Sequence, residues 1–176
     1  LDILEPSFEA WSKSDIGADR IHVVVAMEEK TAEKLQISSF NKLKKKYGKK
    51  FASMQYYIHP SGIEGEAAGV KGANINWAAR KFVEKLEKEG KDIHNYMLIT
   101  CDCDLRPHPK YLSAVTYKYL TVDLPDQKYY TSAVYTLNNN IWRVPVLIRV
   151  QSTMLTLVTL HNWTTEKYET IPFSSG

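Results

Sequence analysis

The sequence predicts an α/β protein with a mainly parallel open sheet flanked by helices on both faces. Three observations carry this expectation. Strand-like apolar runs and helix-like periods alternate three times, an order that calls for right-handed crossovers between parallel strands. The runs are short and apolar or β-branched, as strands covered on both faces are. Three unusual segments, Glu28-Glu29, a glycine-bearing loop and Asp102/Asp104, each follow such a run. They therefore gather beyond the carboxyl ends of the strands, where open α/β sheets hold ligands. With 176 residues, the chain supplies one sizeable core, and 1–176 reads as a single domain.

The elements follow in order. Leu4, Phe8 and Trp11 have helical spacing, with Pro6 tolerated in a first turn. Ile16 to Asp19 reads as a turn, and Ile21 to Met27 is the clearest strand. Thr31 opens a helix that turns Leu35, Phe40, Leu43 and Tyr47 inward and ends at Gly48. Phe51 to Ile58 is a second strand, and His59 to Gly72 a long loop of the kind that is usually functional. A helix over Ala73 to Glu89 faces the core with Ile75, Ala79, Phe82 and Leu86. Glu84/Lys88 and Lys85/Glu89 are charge pairs on its exposed side, and Gly90 stops it. Tyr96 to Cys101 is a third strand, buried between neighbours. Pro109 to Leu120 is a helix burying Leu112, Val115 and Tyr119. Leu124-Pro125-Asp126 turns the chain, Tyr129 to Leu137 alternates as a strand, and Asn138 to Asn140 is a loop. Val144 to Leu160 alternates at its start, but its length and Pro145 favour a helix. The tail from His161 is irregular.

Composition removes several function classes. Lys and Arg number 23 against 20 Asp and Glu, a net +3 too mild to argue for nucleic acid. The basic excess is local, at Lys42, Lys44 to Lys46, Lys49 and Lys50, and reads as a solvated helix end. Cys101 and Cys103 stand one residue apart on a predicted strand. They would point to opposite faces without bridging, which suits a reducing compartment. No apolar run approaches the roughly 20 residues a bilayer span needs, so no membrane segment is expected within this chain. Walker, dinucleotide and nucleophile-elbow patterns are all absent from the sequence.

The organising stretch is Tyr96 to Pro109, where an apolar run ends in Asp102-Cys103-Asp104. Two carboxylates at a strand end are costly unless a cation or hydrogen-bond donors compensate them. A divalent ion with a diphosphate does so, because hard oxygen ligands suit Mg²⁺ or Mn²⁺ and the ion neutralises a departing diphosphate. Lys71 would add a point charge to that clamp. Each residue also has a plainer reading. Acid-x-acid is commonly a solvated turn, Lys71 a surface lysine, and Asn74 and Asn76 helix-start hydrogen bonders. Glu28 and Glu29 are equally well strand-end solvation, and Trp77 and Trp142 core packing rather than sugar-stacking rings. Zinc on Cys101, Cys103 and His108 lacks a fourth ligand at a suitable spacing.

Two segments together resemble family 2 glycosyltransferases of the GT-A fold, the group that includes processive polysaccharide synthases. Lys71-Gly72-Ala73-Asn74-Ile75-Asn76 is similar to the lysine-glycine-asparagine segment before that family's central helix. Asp102-Cys103-Asp104 is similar to its aspartate-x-aspartate motif. Trp142 to Trp163 resembles, less distinctively, the region after the metal motif. The resemblance implies sugar transfer from a nucleotide-diphosphate donor, usually a uridine diphosphate sugar, to an acceptor, with Mg²⁺ or Mn²⁺ as cofactor. It implies metal ligation by Asp104 and Asp102, and substrate contacts from Lys71, Asp102 and Glu28. The family's acidic pair after the second strand appears here as Ala26-Met27-Glu28-Glu29, a methylene longer. By the same resemblance a first strand is expected before Leu1, and the general base and acceptor segments beyond Gly176. The location implied is the cytoplasmic face, compatible with a membrane-anchored parent. The contrasting expectation is a non-catalytic GT-A-like module that binds a protein, in keeping with 11 tyrosines. A nucleotidyltransferase, which shares the carboxylate–metal logic, is a third.

Overall fold

A computed structural model describes residues 4–29, 34–65, 70–128, 130, 142 and 144–164. Residues up to Ala114 form one compact unit and those from Val115 another; each is described by itself.

The first unit is built on a parallel two-stranded ladder, β1 (His22–Glu28) with β2 (Ser53–His59), in unbroken register from His22↔Ser53 to Glu28↔His59. Alternation along both strands assigns their side chains to two faces. Val23, Val25, Met27, Met54, Tyr56 and Ile58 join a core with Phe8, Phe40, Leu43, Tyr47 and Phe51. Those partners come from α1 (Leu4–Trp11), α2 (Lys34–Tyr47) and the approach to β2. On the opposite face, His22, Gln55 and His59 meet α3 (Lys71–Lys88): His22 against Phe82, Gln55 with Lys85, His59 against Trp77. Helices thus cover both faces of the sheet, as the alternation of runs predicts.

The helix ends follow local chemistry. Gly48 closes α2 with its N–H on Lys44 O at 2.8 Å, and a Cβ there would stand 2.4 Å from that carbonyl. Gly90 (φ +68°) turns the chain after α3 while Gly90 N–H reaches Glu87 O and Lys91 N–H reaches Leu86 O, the doubly bonded left-handed helix ending that favours glycine. Of the expected surface pairs on α3, Lys85–Glu89 forms at 3.7 Å, and Lys81 takes Glu84 at 2.9 Å. Phe40, Leu43 and Tyr47 are buried on α2 as their spacing predicts.

One expectation is overturned. Tyr96 to Cys101 forms no strand with any described segment, and Tyr96, Met97 and Leu98 are exposed. Its apolar character marks what the segment prefers to touch, whereas a strand also needs an unpaired edge within bonding distance. Among the described residues, strand and helix therefore alternate in a smaller sheet than three strands would make. The predicted strand Tyr129 to Leu137 and the Asn138–Asn140 loop lie largely or wholly outside the described residues.

In the second unit, the last part of α4 (Tyr111–Thr121) runs into a turn where Leu124 adopts φ 52° ahead of Pro125. Tyr119 donates to Asp126 Oδ1 at 2.5 Å and meets the Tyr130 ring at 6.1 Å. The ambiguous apolar segment is a helix, α5 (Val146–Thr164). Trp142 is 83% exposed, with the Arg149 guanidinium 5.5 Å from its ring centre, so it is not a core residue. No helix among the described residues is long and apolar enough to cross a membrane.

Truncating the centre of the first unit should cost most. Leu43→Ala, at 1% exposure, should lower stability by about 3 kcal/mol in urea unfolding at unchanged denaturant slope. Gly90→Ala should cost about 1 kcal/mol, a backbone effect alone, because nothing lies within 4 Å of the added carbon.

Candidate functional site

The direction of α3 places its first turn at the sheet's carboxyl rim. Trp77 touches His59 at the end of β2, and Phe82 touches His22 at the start of β1, so the helix runs antiparallel to the strands. Lys71, its first residue, therefore sits beyond their carboxyl ends. Among the described residues, no side chain caps the start of α3, where the helix's positive end lies. Gly72 adds open space, since a Cβ there would meet no described heavy atom within 4 Å.

The Asp102 carboxylate arrives at this place from the other side. Lys71 Nζ donates to Asp102 Oδ1 in an ion pair whose side chains keep 42% and 63% of their exposure. An ion pair so exposed is worth no more than about 1 kcal/mol. Leu105 N–H closes onto Asp102 O at 3.1 Å, which makes Asp102-Cys103-Asp104-Leu105 one reverse turn. Asp104 is the third residue of that turn. Beyond it, Ser7 Oγ donates to Leu105 O at 2.6 Å, Asp15 N–H reaches Pro109 O at 3.0 Å, and Ser113 Oγ donates to Asp15 Oδ2 at 2.7 Å. These bonds moor the far side of the turn to α1 and to Asp15 in the turn that follows it. They join residues about a hundred positions apart, so no local pattern announces them.

The other expected site residues are placed as follows. Glu28 ends β1 opposite His59 in register, at the carboxyl rim of the ladder. Its neighbour Glu29 has a structural task instead. Glu29 Oε2 accepts the Ser61 N–H at 2.8 Å, and that bond holds its carboxyl below the usual range; the turn after β2 is thereby tied to the end of β1. Asn74 does not cap α3: its Oδ1 is buried without a hydrogen-bond partner at the helix start. His108 Nδ1 accepts the Lys110 N–H at 3.2 Å, a local turn contact. Cys101 and Cys103 are both free thiols.

Among the described residues, no three His, Cys, Asp or Glu side chains converge as a cage for a metal ion. A cage is the requirement of zinc or calcium sites, whereas Mg²⁺ is commonly held by one or two carboxylates with water and phosphate completing its shell. Asp102 and Asp104 fit the latter description in donor type and exposure. A cleft of about 430 Å³ lies elsewhere, on α2, lined by Ile37, Ser38, Asn41, Lys42 and Lys45.

Desolvation of its sulfur, with the Asp102 charge adding and Lys71 opposing, pushes the Cys101 thiol up to about 11. At pH 8 its thiolate fraction should be roughly a hundredfold below that of an ordinary cysteine. Iodoacetamide labelling followed by peptide mass spectrometry should show that suppression in the folded chain and its loss in denaturant. Asp102→Asn should accelerate the folded-state reaction.

No family model, curated protein or solved structure matches the chain.

Proposed function

We propose that the chain carries the donor- and metal-binding side of a nucleotide-sugar-dependent glycosyltransferase of GT-A type, taking a uridine diphosphate sugar with Mg²⁺ or Mn²⁺. The observation that carries this reading is the meeting of Lys71, at an uncapped helix start, with the Asp102–Asp104 turn beyond the ends of two parallel strands. Those two segments are the same two on which the sequence resemblance rests.

The chemistry assigned to each residue is limited and specific. Lys71 and the N–H groups opening α3 offer positive charge to a diphosphate. The orphaned Asn74 oxygen offers an acceptor at the same helix start. Asp102 and Asp104 would hold the divalent ion, which when bound neutralises the charge developing on the departing diphosphate. In the free protein Lys71 serves as the counter-ion of Asp102. Exchanging that partner for phosphate costs little, because the pair is exposed, and it releases the carboxylate for the metal. Glu28, at the same end of β1, is the candidate for ribose or base contact.

A thermal-shift measurement tests this. Uridine diphosphate and Mn²⁺ together, near a hundred times the dissociation constant, should stabilise by about 2.7 kcal/mol, a rise of roughly 5–10 °C for a chain of this size. Either component alone should do far less. Asp104→Ala should abolish the rise while leaving the far-ultraviolet circular dichroism unchanged. A shift with uridine diphosphate that ignores metal, or no shift at all, would overturn the assignment.

A further inference from the structure

The described side chains of α5 are arranged against their polarity. Thr156 is buried at 6% exposure, and Arg149 and Ser152 are half-buried. These three follow at steps of three and four, so they share one face of the helix. That face is polar, yet it is the one turned inward. Thr156 Oγ1 donates to Ser152 O at 2.9 Å, while Arg149 Nε is buried and its guanidinium lies 5.5 Å from the Trp142 ring centre. Every described apolar side chain of the helix is, by contrast, exposed, from 46% at Ile148 to 81% at Leu147.

Six of these exposed residues form a stripe with a definite period. Leu147, Val150, Met154 and Leu157 follow one another at steps of three, four and three, the spacing of a seam that faces another helix. Val146 and Val158 flank it. At 3.6 residues per turn, the six occupy about a third of the helix circumference, and exposed His161 stands at the next step of four. The stripe itself carries no charge. α5 contains no Asp, Glu or Lys, and Arg149 belongs to the inward face. A helix lying on a lipid surface sets a row of Lys and Arg opposite its apolar side; α5 has no such row. With about half of each side chain uncovered, the six expose on the order of 600 Å², the upper limit of the largest apolar patch on a typical monomer.

We infer that the α5 stripe is a homodimer interface, and that its occupant is the same stripe on a second copy of this chain. Three features select that occupant. The three-four spacing asks for a helix as its partner. An uncharged stripe can face itself across a two-fold axis without bringing like charges together, so one surface serves both sides. Two such stripes together bury on the order of 1,200 Å², the lower end of the range for specific interfaces, which suits a reversible pair. None of the residues assigned to the donor site lies on α5, so this reading is independent of nucleotide and metal.

Sedimentation equilibrium on the whole chain, without ligand, tests it. Between about 1 and 100 µM the mass should climb from the 20.2 kDa of one copy toward twice that value. Met154→Lys puts a charge from each copy into the seam and should weaken association at least thirtyfold, roughly the effect of losing a central contact. Leu147→Lys, at the most exposed position of the stripe, should act alike, and both variants should keep the far-ultraviolet circular dichroism of the parent chain. Ile148→Lys is exposed on α5 but off the stripe, and should leave association within about threefold. A single-copy mass at every concentration would overturn the dimer. Association that survives both stripe variants, or that Ile148→Lys weakens equally, would overturn the stripe as its surface. Growth beyond two copies without limit would contradict the two-fold pairing. A single-copy chain that floats with phosphatidylcholine vesicles would name lipid as the occupant and overturn the second copy.

Discussion

The β1–β2 ladder is the constraint on which everything else in the first unit depends. Its register sets which side chains of each strand face α1 and α2 and which face α3, and a slip of one residue would exchange the two sets. Met27 and Met54 would then leave the core shared with Phe40 and Leu43. His22, Gln55 and His59 would lose Phe82, Lys85 and Trp77. Since α3 takes its direction from those contacts, the position of Lys71 at the rim is a consequence of the register. The hydrogen bond from Glu29 N–H to His59 O, with Glu29 Oε2 on Ser61 N–H, closes the ladder at the end where the candidate site stands.

A parallel pair of strands is a small sheet, and parallel sheets are normally covered on both faces and continued at their edges. The first unit meets the first condition with three helices. The segment that follows Tyr96 delivers Asp102 to Lys71, while Ser7, Asp15 and Ser113 hold the far side of the acidic turn.

The candidate site is electrostatically modest in the free protein. Lys71 and Asp102 satisfy one another at the surface, and neither is buried deeply enough to be locked. That is the arrangement expected of groups that change partners, because a buried pair would resist separation by several kcal/mol. Among the described residues at the start of α3, Asn74 Oδ1 is buried without a hydrogen-bond partner, a local cost that an incoming donor would remove.

The sequence by itself determined the elements whose causes are local. The β-branched run at β1, the spacing of Phe40, Leu43 and Tyr47, the glycines that end α2 and α3, and the carboxylate pair after an apolar run all act within a few residues of chain. Helical period, left-handed glycine conformations and turn chemistry need no distant partner. Only the tertiary structure decided the rest. Tyr96 to Cys101 has a strand's composition, but a strand exists only where a second backbone offers a ladder, and apolar pattern carries no information about that partner. Trp142 is a large ring left outside, and Glu29 became a tie for the turn after β2. In the same way the meeting of Lys71 with Asp102, 31 positions apart, depends on the direction α3 takes across the sheet. Contacts of that separation are set by the packing of whole elements, and so they became visible only once the chain was folded.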